Sequence, residues 1–456
     1  MPDASEKTVI DTLSANILDT RFEDLDQATI DNARNRIMDV IGDIIGGTGA
    51  PGNAALVNLV KERGGKKEAT ILGYGIKAPA SDVAMVNSIL CNSFDAAPLV
   101  VIVDGKRYPS HTSGTTVPVA ITMGENRGIT GKELIATLVA ADDFVARLLS
   151  LSQRGGAGSP GTTFGAAAIA GRLLGLDLAQ LRNAFGIALD ERGGGGGGLW
   201  DGSASFKMGY GKAARYGIIA AQLAKGGWIG AEDPLFGEHG SYYGHPCDHP
   251  EILIKDLGKK YYMEAVFKPY PGCRLTHAGI DAALALVSKH EIQVKDIEEV
   301  TLILSPTAKN DHCWKPFQIR SYPTGDALFS YRYSVATALV RKRVINENFT
   351  EESIRDPEVQ ALIGKIKLAE PTQAQGVELR LRMRDGRLLS ESVTVARGDI
   401  TTSLSRDEMV AKFMTQVEFS QTVDRGNAGK LLQALERLEE VADIHNIIEL
   451  AVKTGK

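Results

Sequence analysis

Through its first 265 residues the chain repeats helical patterns whose inward positions are largely alanine and glycine, and this feature constrains the fold most. Side chains that small let helices approach closely, so stability must come from dense packing rather than from a few large aromatics. Ile30, Ala33, Ile37, Val40, Ile41 and Ile44 recur at helical spacing and stop at Gly46-Gly47, where a glycine cap is expected. Thr130 and Glu133 spell a capping box ahead of Leu134, Leu138 and Val139. Further helices read through residues 165–174, 177–185 and 212–224. One interruption stands out: six consecutive glycines, residues 193–198. Each loses more backbone freedom on ordering than any other residue, so the run is either an active-site loop or a surface connector.

The pattern changes after about residue 290. Val300, Leu302 and Leu304 alternate with Thr301, Ile303 and Ser305 as a strand whose polar face Ile303 interrupts. Val377, Leu379, Leu381 and Met383 alternate with Glu378, Arg380, Arg382 and Arg384. Asp385-Gly386 then makes a turn, and Val393 and Val395 return in antiparallel sense. Helix signals resume at the capping box Ser405 and Glu408, followed by Leu431, Leu432, Leu435 and Leu438 on one stripe. The fold class is therefore mainly α. An all-helical domain spans residues 1–267 and 405–456, an α+β lid domain spans 268–404, and the cleft between them is the natural ligand site.

A net charge of −5 over 456 residues supplies no basic field, which argues against nucleic acid and anionic membranes as partners and requires local cations for an anionic substrate. The apolar stretch 37–45 is broken by Asp39 and Asp43, and the acidic N-terminus lacks an apolar signal core, so a soluble cytoplasmic protein is expected. Cys91, Cys247, Cys273 and Cys313 show no CxxC spacing and suit a reducing compartment. His245-Pro-Cys247-Asp-His249 offers soft ligands, but no second cluster completes a tetrahedral set, and no metal is expected. The glycine run lacks the Lys-Ser/Thr and the preceding strand of a phosphate-binding loop.

Several residues carry chemistry. His111, in Pro109-Ser-His-Thr-Ser-Gly114 before an apolar helix, is a catalytic base or a capping histidine. Lys207, isolated after the glycines, could hold a carboxylate or exchange a proton if desolvated, or be an ordinary solvated lysine. Asp95 closes an apolar run before Ala96-Ala-Pro98, as an orienting acid or a cap. The rigid crossover Lys268-Pro-Tyr-Pro-Gly-Cys-Arg-Leu-Thr-His277 carries Lys268, Arg274 and His277 toward the cleft, a cation cluster suited to a dicarboxylate. Tyr333 starts the apolar helix 335–340, where its phenol either acts as an acid or packs.

In order and spacing these segments resemble the MmgE/PrpD family over essentially the whole chain. The resemblance rests on Ser110-His111 with Val117-Pro-Val-Ala120, Gly165-Ala-Ala-Ala-Ile-Ala-Gly171, Phe206-Lys207, Lys268-Pro-Tyr-Pro-Gly-Cys273 and Phe329-Ser-Tyr-Arg-Tyr-Ser-Val-Ala336. It implies a large helical domain, a smaller α+β lid, a homodimer, no cofactor, and an interdomain site for small polycarboxylates. By resemblance, the catalytic positions are Asp95, His111, Lys207 and Tyr333; Arg274, Lys268, His277 and Gly198 are expected to contact the substrate.

Two departures bear on the reaction. Ala97-Pro98 stands where dehydratases and decarboxylases of the family carry acids, and no histidine lies between His111 and His239. Fewer proton donors weigh against dehydration. The expectation is an epimerase closest to iminodisuccinate epimerase, in which His111 with Tyr333 or Lys207 exchanges the proton next to a carboxylate. A lyase of the 2-methylcitrate dehydratase or cis-aconitate decarboxylase type and an inactive dimeric binding protein are the alternatives.

Overall fold

The computed structural model describes residues 8–151, 160–191, 197–238, 240–245, 247–370 and 376–453. Seven long helices build most of the larger core: α1 (Gln27–Gly47), α2 (Ala80–Cys91), α3 (Ser113–Arg127), α4 (Gly131–Leu151), α5 (Pro160–Leu174), α6 (Leu178–Ala188) and α7 (Met208–Lys225). Small residues set their spacing as the sequence predicts. A Cβ at Gly217 of α7 would lie 2.5 Å from the Cβ of Ala166 on α5, closer than two carbons can approach. Gly46 and Gly47 act differently from the expected cap. They are the last residues of α1, followed by Thr48 in helical conformation, and a Cβ at Gly47 would meet the Leu90 carbonyl oxygen at 2.0 Å. Their smallness serves the α1–α2 crossing rather than a left-handed turn. Thr130 caps α4, its hydroxyl oxygen accepting from the Glu133 amide. Of the glycine run, residues 193–196 lie outside the described residues, whereas Gly197 and Gly198 open a short helix, Gly197–Asp201.

A small sheet that the sequence reading missed organises one side of this domain. β1 (Leu99–Val103) pairs antiparallel with β2 (Lys106–Tyr108) through Asp104-Gly105, and with β3 (Ala265–Val266) on its other edge. Asp104 and Gly105 both have positive φ, +47° and +76°, the geometry of a tight two-residue hairpin turn. Asp-Gly between Val-rich and basic runs was the signal available for it.

The second core belongs to a layer of α8 (His277–Lys289) and α9 (Tyr331–Arg341) on a four-stranded sheet of β4 (Ile297–Ile303), β5 (Ile366–Ala369), β6 (Val377–Met383) and β7 (Leu388–Val393), ordered β5-β4-β6-β7. β4 and β5 run parallel, and the other neighbours antiparallel. Leu379, Leu381 and Met383 face inward while Arg380 and Arg382 face water, as the alternation requires. The returning strand stops at Val393, so Val395, expected within it, lies beyond the ladder and exposed.

After the sheet, α10 (Arg406–Ser420), opened by the predicted Ser405–Glu408 capping box, packs Met409, Phe413 and Val417 into the larger core beside α1. That core draws on residues 10–267 and 409–451. The lid core in turn takes in Ala50, Phe94 and Phe206 from the helical domain, so the two bodies share an apolar seam. No helix among the described residues is long and apolar enough to cross a membrane.

Candidate active site

The small sheet brings the chemistry together. In the register Leu99 opposite Val266, the chain before β1 runs alongside the chain after β3, which is how Asp95 meets Lys268. The Lys268 ammonium donates to the Asp95 carboxylate at 2.8 Å and to its backbone carbonyl at 2.6 Å, with no exposed side-chain surface. Asp95 itself sits at φ +48°, a strained left-handed conformation for a residue with a side chain. The β1–β2 hairpin leads on to Ser110 and His111, and His111 precedes Thr112, the residue flanking α3. The sequence expectation of a helix-entrance imidazole therefore holds.

His111 Nδ1 is buried and makes no hydrogen bond, and the ring stands edge-on to Tyr210 at 5.9 Å. Burial, and next the Lys268 charge, push its pKa down to about 4 against the opposing pull of Asp95, so the ring is neutral at pH 7. Lys207 lies at the start of α7 with its ammonium donating to Asn53 Oδ1 at 2.8 Å and Ser93 Oγ at 3.2 Å. Burial lowers its pKa to about 8. Both groups thus face the 92–95 corner: Ser93 holds Lys207, Asp95 acts on His111, and Asn92 bonds the Gly114 carbonyl at 3.1 Å beside His111.

The lid supplies a residue that sequence reasoning passed over. Tyr322 places its ring 5.8 Å from the Lys207 ammonium, and its buried hydroxyl makes no hydrogen bond. Asn92 Oδ1, His111 Nδ1 and Tyr322 Oη are thus three buried polar atoms near Lys207 and Asp95 with hydrogen-bonding capacity left for a polar ligand. Tyr322 has no helix-face or spacing signature that would have singled it out.

Other expected site residues are committed elsewhere. Tyr333 is completely buried in the lid core, flanked by Phe317 and Phe349, and its hydroxyl donates to the Asn348 carbonyl. It packs rather than titrates in the cleft. Arg274 spends its guanidinium on the carbonyls of Ala396 and Arg397. His277 is fully buried between Arg274 and the Gly272 carbonyl, and burial with the neighbouring cations keeps it neutral. Lys268 is occupied by Asp95, so it acts through that pair instead of gripping a carboxylate as a free cation. A Cβ at Gly198 would lie 2.7 Å from the Phe206 amide and from Ser205 Oγ, so this glycine admits the turn carrying Lys207 rather than touching substrate.

Beside the corner, a crevice of about 280 Å³ opens between the lid and the 197–201 helix, lined by Trp200, His312, Lys315, Arg320 and Phe329 among others. Phe329 on its wall meets Phe206, the neighbour of Lys207, edge-on at 5.1 Å. Cys273 Sγ and His312 Nε2 are 3.4 Å apart. Hydrogen bonding from Cys313, then from His312, outweighs burial and holds the Cys273 thiol down at about 6.

The arrangement offers a neutral imidazole, a desolvated ammonium and a buried carboxylate–ammonium pair around unspent polar atoms. It can accept an anionic ligand and deliver a proton to it. Models of the MmgE/PrpD N-terminal and C-terminal domains match residues 11–250 and 270–436. The cis-aconitate decarboxylase of Mus musculus is 24% identical over 96% of this chain and 92% of its own length, and that of Homo sapiens 23% over 96% and 93%. A cis-aconitate decarboxylase-like protein, oryM, of Aspergillus oryzae is 21% identical over 95% of each chain. The expectation of iminodisuccinate epimerase as nearest member finds no support in these names. With matching domains covering both bodies of the fold, the chain belongs to the MmgE/PrpD family.

Proposed function

We propose that this chain is a lyase that removes CO2 from a small unsaturated polycarboxylate of the cis-aconitate type. The observation that carries this reading is the inequality of its two proton-transfer groups. Lys207, with a pKa of about 8, is mostly an ammonium at pH 7 and is a competent acid. His111, at about 4, is a weak base, and protonating it at pH 7 costs about 4 kcal/mol at 1.36 kcal/mol per pH unit. Decarboxylation suits that set. The C–C bond to one carboxylate breaks, CO2 leaves, its electron pair passes into the carbon framework, and Lys207 returns a proton to carbon. No base has to remove a C–H proton. His111 and Tyr322 then serve as hydrogen-bond partners of the carboxylates that remain. The names of the relatives agree with this chemistry.

Epimerisation of iminodisuccinate is the second reading. It is favoured by Ala97-Pro98 in place of the family's acids and by the lack of a histidine between His111 and His239. Incubating the full chain with cis-aconitate in D2O separates the two. We expect CO2 and one carbon-bound deuterium per turnover. Absence of CO2, together with exchange of the α-hydrogen of iminodisuccinate, would give the assignment to the epimerase.

A further inference from the structure

Cys273, at the end of the lid-entry segment, and His312-Cys313, in the loop after β4, are 39 residues apart in sequence yet converge beside the crevice. The two sulfurs and one imidazole nitrogen all lie within 4.8 Å of one another, with Cys273 Sγ 3.4 Å from His312 Nε2. In a tetrahedral zinc site with Zn–S near 2.3 Å and Zn–N near 2.0 Å, ligand atoms sit about 3.5–3.8 Å apart, so this trio needs only slight adjustment. The backbone carrying it is anchored independently. The Cys273 amide donates to the Leu328 carbonyl at 2.9 Å, the Cys313 amide to Asp311 at 2.9 Å, and the Tyr331 hydroxyl to the other Asp311 oxygen at 2.8 Å. Such outer contacts orient metal ligands. Cys313 is fully buried, whereas His312 lines the crevice.

We propose that Cys273, His312 and Cys313 form a three-ligand site for a thiophilic divalent ion, zinc foremost, with its fourth position open to the lid crevice. Two sulfurs bound as thiolates balance the dication, and any thiol proton still present passes to solvent on binding. A soft S,S,N set selects zinc or cobalt over magnesium or calcium. The site is distinct from the His245–His249 loop weighed in the sequence. Among the described residues, the Cys273 trio is the group of ligating side chains that meets at metal-binding distance.

The test reads metal rather than turnover, so its outcome is independent of the reaction assigned above. The reduced, chelator-treated full chain is titrated with Co2+ and then Zn2+. We expect one Co2+ per chain with a thiolate-to-cobalt charge-transfer band, displaced by one equivalent of Zn2+. Zinc should also protect the partly exposed Cys273, but not Cys247, from alkylation mapped by mass spectrometry.

Cys273→Ser and His312→Asn alter side chains that are only partly buried. Each should weaken zinc binding by more than the about 10–100-fold typical of outer-shell substitutions, with an unchanged melting temperature, while Cys247→Ser binds as the parent does. Cobalt bound without the thiolate band, a band of undiminished intensity in Cys273→Ser, or equal alkylation of Cys273 with and without zinc overturns the site.

Discussion

The 92–95 corner and the Tyr333 region of the lid are both built from segments that match the family pattern, yet they differ in one physical respect. In the lid, Tyr333 is buried, stacked on Phe317, edge-on to Phe349 and hydrogen-bonded to the Asn348 carbonyl, so its phenol is already committed. At the corner, His111, Asn92 and the facing Tyr322 keep buried polar atoms without partners, and Lys207 holds a charge that burial disfavours. Residue type is the same kind of information in both places. What separates the corner from Tyr333 is a desolvated ammonium set among side chains that keep hydrogen-bonding capacity.

The sharpest way to break this contrast is Lys207→Met. Loss of the acid should lower kcat by about 10²–10⁴-fold, as measured by CO2 release, without lowering the melting temperature. A variant that keeps parental turnover removes Lys207 from the mechanism. Next comes Asp95→Asn, which leaves the fully buried Lys268 ammonium without its carboxylate. Unfolding in urea should show a loss of about 3–5 kcal/mol, accompanied by reduced activity.

The pH dependence is a milder probe. Because burial lowers the Lys207 pKa from 10.5 to about 8, kcat/KM should fall about tenfold per pH unit above pH 8. The same shift predicts a stability trend. Between pH 8 and 10.5 the folded protein binds fewer protons than the unfolded chain at this site. The penalty for the buried ammonium is therefore complete below pH 8, and stability rises across that window relative to Lys207→Met.

The smallest effect belongs to the lid. Tyr333→Phe removes one satisfied hydrogen bond and should cost about 1 kcal/mol in unfolding free energy while changing kcat by less than about threefold. A drop as large as that of Lys207→Met would put the phenol back into catalysis.

Much of the architecture was legible because it rests on local rules. The Ser405–Glu408 box, the β6–β7 hairpin and the helices with small inward residues all follow from periodicity and caps. Misreadings arose where two rules share one residue type. Gly46 and Gly47 look like a helix stop, but they allow a close crossing, and only the position of Leu90 in space distinguishes the two. The pairing of Leu99–Val103 with its second partner, Ala265–Val266, was missed because that strand is two residues long and more than 160 residues away. That short pairing nevertheless delivers Lys268 to Asp95.

The order of motifs along the chain determined the family, the two-body plan, and the prominence of His111 and Lys207, because spacing and residue type are properties of the polymer itself. Which of the chemistry-bearing side chains stay unsatisfied, which sulfurs meet an imidazole, and which tyrosine faces the ammonium were decided by tertiary structure. Burial, desolvation and hydrogen-bond satisfaction depend on neighbours from distant segments, and no local pattern encodes them.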